Sequence, residues 1–436
     1  MKKSILTLLI LFVCAIQTTT AYEYFTIHFK DGTKSDAFYA TDVDSICYSK
    51  LSLDSIASND WQVQEIYTCD SIYRYPLVQI DSLSFKDVDE NKVAENIANV
   101  SEVITPLFTE SSSPIKLSER IAEIQNLNGV EDAYINNQTL YIKIRDWGYI
   151  SFYFPIDDSD KDDDELNLAP LSQNMKVNMR RSNENEEHKY TEVLKACVVN
   201  QQFYDEERNS FKNIANQFKV SFESVGIKAD IENMPLLDFF KDGMFDYDIL
   251  FIKTHGNYDE KTDLHWLCTG EELWSYNPSE ISVGDIAKLL NVKLPLWIKH
   301  GYSPRKVSFM CIKEKRGGDF LHIYYTTISD EFIRSAKRKF RNTGSAIVFN
   351  TACESMMRNN KMAKAFEERG AGCYLGYDDS NSVGGTAGKN LFAHLLVGKS
   401  TQSAYNAIPD WCKEQTIYED EDGIIYDAPP SGKKYN

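Results

Sequence analysis

Between residues 22 and 87, apolar and polar side chains alternate in short runs. FTIHF leads into Asp31-Gly32, and VDSICY (43–48) is loosely repeated as IDSLSF (80–85), each at the end of an alternating run. Alternation broken by Asp-Gly predicts strands joined as hairpins. Residues 92–107 and 116–127 switch to helical spacing. Three short strands are then predicted around AYI, LYIKI and ISFYF, with turns at Asn136-Asn137 and Asp146–Gly148. Residues 22–155 therefore read as a small α+β unit whose side chains name no chemistry.

IDDSDKDDDELN (156–167) interrupts this pattern. It lacks the central glycine and the ligand spacing of a calcium loop. Like charges without apolar partners stay solvated, so residues 156–189 read as an acidic linker. From Tyr190 the period alternates between strand and helix. KACVVN, KADIENM, YDILFIKTHG, SAIVFNTAC and AGCYLGYD read as strands. Helices are predicted over 207–225, 328–340, 359–369, 386–397 and 400–409. This alternation predicts an α/β domain over 190–412, a mostly parallel sheet covered on both faces, with residues 413–436 as a tail. Ligands in such sheets gather at the carboxyl ends of strands. His255 and Cys353 both fall there.

Composition adds bounds rather than chemistry. Lys2 and Lys3, the apolar run from Ile5 to Ile16, and Thr19-Thr20-Ala21 form an export-signal pattern too short for a membrane span. Cys14 suggests lipid attachment, but Val13 is not the small residue such signals want, so export without a lipid anchor is the expectation. No later run reaches the length of an apolar span. Removing the first 21 of 436 residues leaves 415, and the formal charge goes from -18 to -20. So acidic a chain lacks the surplus of cations that nucleic-acid binding requires. The cysteines after Cys14 are scattered, without a C-x-x-C pair, and most read as small core residues. A Cys47–Cys69 bridge is left open, and the His265/Cys268 pair lacks a second pair for zinc.

A thiolate attacks a carbonyl carbon, and a nearby histidine accepts the thiol proton and later donates one to the leaving amine. The oxyanion needs backbone N–H groups aimed at it. THG at Thr254–Gly256 places a glycine after the histidine, where backbone can approach a substrate. The candidates are therefore His255 as base, Cys353 as nucleophile, and the Gly256 and Cys353 amides as oxyanion donors. Each has a plain alternative, a structural histidine and an inert core thiol. A second His-Gly pair at His300-Gly301, within LPLWIKHGYSP, is a rival base, although Pro295 and Lys299 interrupt its run and fit an excursion from the sheet. His28, His188, His265, His322 and His394 read as surface or core residues.

ILFIKTHG followed by AIVFNTACES resembles the caspase–gingipain–clostripain–legumain group of cysteine peptidases. The ACES tetrapeptide is similar to legumain in particular, and GAGCYLGYDDS before a helix resembles gingipain-type enzymes. The likeness covers roughly residues 190–412. It implies a caspase-like α/β/α sandwich, an exported cysteine endopeptidase of peptide or protein substrates, no metal or organic cofactor, and His255 and Cys353 as the catalytic pair. The N-terminal unit is then an accessory or inhibitory pro-domain, with Arg180-Arg181 a candidate processing point. Two departures stand out. The pair lies 98 positions apart, which demands an insertion, expected to include a hairpin framing the cleft. Thr351 occupies a position where some basic-specific relatives carry an acid. Asp378 and Asp379 are candidates for a pocket that selects Arg or Lys, or else simply solvate a strand end. The alternative to an enzyme is a catalytically inactive relative that binds peptides or proteins.

Overall fold

The computed structural model describes residues 23–31, 38–39, 43–51, 61–68, 72–76, 80–87, 89–110, 117–154, 193–205, 211–276, 283–300, 302–356, 361–377, 384–413, 416–419 and 425–428. The signal pattern, the acidic linker, Arg180-Arg181, Cys69 and Asp378-Asp379 lie outside the described residues.

Strands β1 (Glu23–Phe29), β2 (Phe38–Tyr39), β3 (Val43–Leu51), β4 (Trp61–Thr68), β5 (Ile72–Pro76) and β6 (Ile80–Asp87) form two small antiparallel sheets, ordered β2-β1-β6 and β3-β4-β5. The loose repeat thus falls in two different sheets, with VDSICY in β3 and IDSLSF in β6. Helices α1 (Glu90–Glu110) and α2 (Ile121–Gln125) precede an antiparallel meander of β7 (Val130–Asn136), β8 (Thr139–Ile144) and β9 (Tyr149–Tyr153). Asn137 and Asp146, at the two predicted turns, take positive φ values of 49° and 61°, a conformation asparagine and aspartate tolerate better than most residues.

The second half walks between two sheets. β10 (Lys195–Asn200), α3 (Phe211–Ser224), β11 (Lys228–Asn233), α4 (Leu237–Lys241) and β12 (Ile249–Lys253) come first. The segment after His255 then supplies β13 (Gly256–Asp259), β14 (Leu264–Tyr276), α5 (Val283–Lys299), β15 (Val307–Arg316) and β16 (Asp319–Ser329). The chain returns through α6 (Asp330–Ser335), β17 (Ala346–Asn350), α7 (Lys361–Glu368), β18 (Ala371–Leu375), α8 (Gly384–Leu396), α9 (Thr401–Asn406) and α10 (Asp410–Lys413). A two-stranded pair, β19 (Thr416–Glu419) and β20 (Ile425–Ala428), follows.

One sheet is wholly parallel, ordered β11-β10-β12-β17-β18. Its central strands ILFIK and AIVFN are buried at every position, as strands covered on both faces must be. On one face Phe251 and Phe349 stack at 5.3 Å beneath Phe218 of α3 and Phe392 of α8. Gly388 of α8 is there because a Cβ would fall 2.6 Å from the Phe251 ring.

The other sheet is mixed, ordered β13-β14-β16-β15-β9-β8-β7. Every pairing in it is antiparallel except β9 with β15. Its outer face carries Trp147, Trp274, Phe309 and Tyr324 against Trp297 of α5, and Tyr324 shares a 2.7 Å hydrogen bond with Thr105 of α1. The fold is thus mixed α/β: one parallel and one mixed sheet flanked by helices, a coarse α/β/α sandwich. Residues 130–153, placed by their sequence in a separate N-terminal unit, form three of the seven strands of this shared sheet. No helix among the described residues is long and apolar enough to cross a membrane.

Two local expectations change. Ile328–Phe340 reads as one helix, yet β16 runs to Ser329, whose Oγ accepts the Phe332 N–H at 3.3 Å to start α6. The helix stops at Ser335, and beyond it Phe340 packs on Phe245 at 5.2 Å while Arg338 Nη1 donates to the Asp242 carbonyl at 2.9 Å. LPLWIK (294–299), in turn, ends the 17-residue helix α5, with Pro295 inside it.

Candidate active site

β12 and β17 are neighbours, and Ile252 pairs with Asn350 at the last step of their parallel register. The next link, Thr351 N–H to the Ile252 carbonyl at 2.8 Å, carries the alignment past the strand ends. His255 and Cys353 each lie three residues beyond the Ile252–Asn350 pair, so the two loops leave the sheet side by side. Gly256 locks them together. A Cβ there would lie 2.8 Å from Ala352 Cβ, 2.9 Å from the Trp266 carbonyl and 3.1 Å from the Cys353 carbonyl. Only glycine lets the histidine loop approach the cysteine loop so closely.

The residues around the sulfur hold its loop. Asn350 Oδ1 accepts the Ala352 N–H at 3.0 Å, and Ser355 Oγ accepts the Tyr377 N–H at 3.1 Å while donating to the Asn350 carbonyl at 3.2 Å. Glu354 sits at φ 55°, in the left-handed region. Its carboxylate accepts the Tyr258 N–H at 2.7 Å and a hydrogen bond from Asn137. The acid and the serine that follow Cys353 are therefore tethers. They fix the turn against β13, β18 and the β7–β8 turn, and the side chain at 353 is left to face the second sheet.

Cys353 is 7% exposed. It shares an apolar cluster with Cys268, Met310, Ile312, Ile323 and Tyr325 of the mixed sheet. The Tyr153 hydroxyl stands 3.3 Å from its Sγ. The Tyr153 ring also lies 5.4 Å from the imidazole of His255, which is 4% exposed. One tyrosine thus touches both members of the expected pair. On its other side, His255 Nε2 lies 3.1 Å from Gln202 Nε2, just past the end of β10. Gln202 Oε1 is buried without a partner in this orientation. Turning the amide end for end lets that oxygen accept a hydrogen bond from Nε2–H.

The rival histidine is elsewhere. His300 is exposed at the end of α5, its ring 6.0 Å from Tyr302. One turn earlier Trp297 packs 5.3 Å from Phe309, whereas the next residue of β15, Met310, faces the sulfur's cluster. Successive strand residues face opposite sides, so the mixed sheet stands between His300 and Cys353. His265 and His322 are buried, and burial pushes the His322 imidazole down to about 4, which keeps it neutral. Cys197, Cys268 and Cys311 are buried, Cys373 is half-buried, and burial pushes all four thiols up, away from the thiolate form.

Further along the face that holds Tyr153 and Ile312 lies Glu314. Its carboxylate takes hydrogen bonds of 2.8 Å from both Arg316 and the Tyr325 hydroxyl. Burial pushes it up to about 7 against the pull of the guanidinium. Among the described residues, no group of three or more His, Cys, Asp and Glu side chains could hold a metal ion.

Sequence reasoning found His255, Gly256 and Cys353 but not Tyr153 or Gln202. Gln202 had a faint signal, because two glutamines follow a buried strand where solvating charges are more usual. Tyr153 had only its place in the alternation of ISFYF, and nothing local says what that face meets. The chain matches no protein-family model and no curated protein.

Proposed function

We propose that the chain is an exported cysteine endopeptidase of the caspase–gingipain–clostripain–legumain kind. Cys353 is the nucleophile and His255 the proton carrier. The observation that carries this reading is the alignment of His255 and Cys353 three residues beyond the last paired step of adjacent parallel strands, with Gly256 wedged against the Cys353 backbone.

His255 takes the thiol proton, and the thiolate attacks the scissile carbonyl carbon. The Gly256 and Cys353 N–H groups receive the oxyanion. Collapse breaks the C–N bond, and the departing amine takes the proton from His255, leaving a thioester. Water then attacks the thioester carbonyl while its proton passes to His255; the C–S bond breaks, the carboxylic acid leaves, and His255 returns the proton to the sulfur. A Gln202 bond at Nε2 assigns proton exchange to Nδ1 and holds the ring against rotation. Selection of a basic residue beside the scissile bond, through Asp378 and Asp379, completes the reading.

The burial of Cys353 at 7% exposure favours a second reading, a peptide- or protein-binding relative without chemistry. One experiment separates them: profiling cleavage of a broad peptide library by the parent and by Cys353→Ala. Cleavage by the parent alone supports the peptidase. Equal cleavage by both proteins, or none by either, sinks it.

A further inference from the structure

The strand that carries Tyr153 enters the mixed sheet from the N-terminal segment. β9 pairs in parallel with β15, with Ser151 opposite Met310, Phe152 opposite Cys311 and Tyr153 opposite Ile312. Side chains on β9 alternate. Phe152 faces outward, its ring 5.9 Å from Tyr324, so Tyr153 faces inward to Cys353 and His255. The same meander grips the site a second time. Asn136 Nδ2 donates to the Tyr258 carbonyl at 3.0 Å, Asn257 Nδ2 donates to Thr139 Oγ1 at 3.3 Å, and Asn137 binds Glu354 beside the sulfur. Residues 134–153 therefore hold both loops, that of the imidazole and that of the thiol. An inhibitory segment meant to be discarded would have no reason to build the wall that both reactive groups rest on.

The chemistry of the wall is specific. The sulfur lies among apolar side chains, and such surroundings disfavour a thiolate. A hydroxyl aimed at sulfur favours it, because a hydrogen bond to the charged form stabilises that form. We propose that Tyr153 is a third catalytic residue. Its O–H donates to Sγ of Cys353 once the thiol proton has passed to His255, and its ring holds the imidazole beside the sulfur. Tyr153 keeps its own proton throughout. The N-terminal strands 130–153 are thus part of the active site and not a removable pro-domain. This inference rests on the dyad reading above.

The test is the rate at which iodoacetamide alkylates Cys353 in the full chain, followed against pH and assigned by peptide mass mapping. Tyr153→Phe keeps the ring and removes only the hydroxyl. A charge-assisted hydrogen bond of ordinary strength predicts that the midpoint rises by about one pH unit, with alkylation about tenfold slower below it. Tyr324→Phe is the control, a buried tyrosine on the opposite face of the mixed sheet, and it leaves the profile in place. An unchanged profile for Tyr153→Phe, or an equal shift in the control, reduces Tyr153 to packing and overturns the proposal. Faster alkylation overturns it too, because the hydroxyl then shields the thiol. His255→Ala is scored separately. If it alkylates like the parent, the dyad reading falls, whatever Tyr153→Phe does.

Discussion

The two sheets contribute to the site in different ways. The parallel sheet supplies it from strand ends: all its strands run one way, so His255, Cys353 and Gln202 leave β12, β17 and β10 at one edge. The mixed sheet supplies it from a face, where Tyr153, Met310, Ile312 and Tyr325 form a wall against which the sulfur rests. Ends offer loops, where reactive side chains leave the sheet together. A face offers packed side chains, which exclude water and hold geometry. The candidate site exists because the two meet at Gly256, where the exit of β12 becomes the edge strand β13 of the other sheet.

The largest expected effect tests the strand-end half. Cys353→Ala is expected to lower peptide cleavage by about a thousandfold or more, measured as kcat/KM on the best library substrate. A smaller loss would move the chemistry away from the parallel sheet. The next effect compares the two cores. Phe251→Ala removes an aromatic anchor from the parallel sheet and Trp297→Ala one from α5, where it packs on the mixed sheet; each is expected to cost about 3–5 kcal/mol. Because the direct β12–β13 junction and the Asn137–Glu354 tether join the two sheets, both variants should lower one common urea transition. Two transitions, each sensitive to one variant, would make the sheets independent units.

Gly256→Ala tests the junction. Its Cβ would press on Ala352 and on the Trp266 and Cys353 carbonyls, so a loss of about 1–3 kcal/mol is expected, together with a loss of cleavage. Gly317→Ala, at the β15–β16 tip with nothing within 4 Å but φ +61°, is expected to cost about 1 kcal/mol and to spare the site. Equal effects on cleavage would mean that the junction is not special.

The smallest effect is the pH response of the wall. Glu314 is raised in the fold, so its contribution to stability is greatest below the ordinary carboxylate range and is lost as pH rises through about 7. Glu314→Gln should flatten the pH dependence of the thermal midpoint across that window. An unchanged slope in the variant would assign the response to another group.

Legibility followed the same division. ILFIK and AIVFN announce buried parallel strands because each is apolar throughout, and the residues after such strands are where reactive groups collect. The mixed sheet was harder to read. Ile328–Phe340 has a helical pattern, yet its first residues pair with Val307 and Trp266 as strand, since cross-strand partners outweigh local spacing. The tethering roles of Glu354 and Ser355 were also invisible. They depend on Tyr258, Asn137 and Tyr377, which reach the turn from three other elements.

By itself the sequence determined the strands of the parallel sheet and the two loop ends that carry a thiol and an imidazole, because apolar periodicity and glycine placement act over a few residues. Only the tertiary structure decided that β9, ahead of an acidic segment in the chain, lies beside β15 and turns Tyr153 onto Cys353. That choice is made by burial and backbone pairing between segments more than 150 residues apart, with Ile312 opposite Tyr153, and no local pattern encodes the partner.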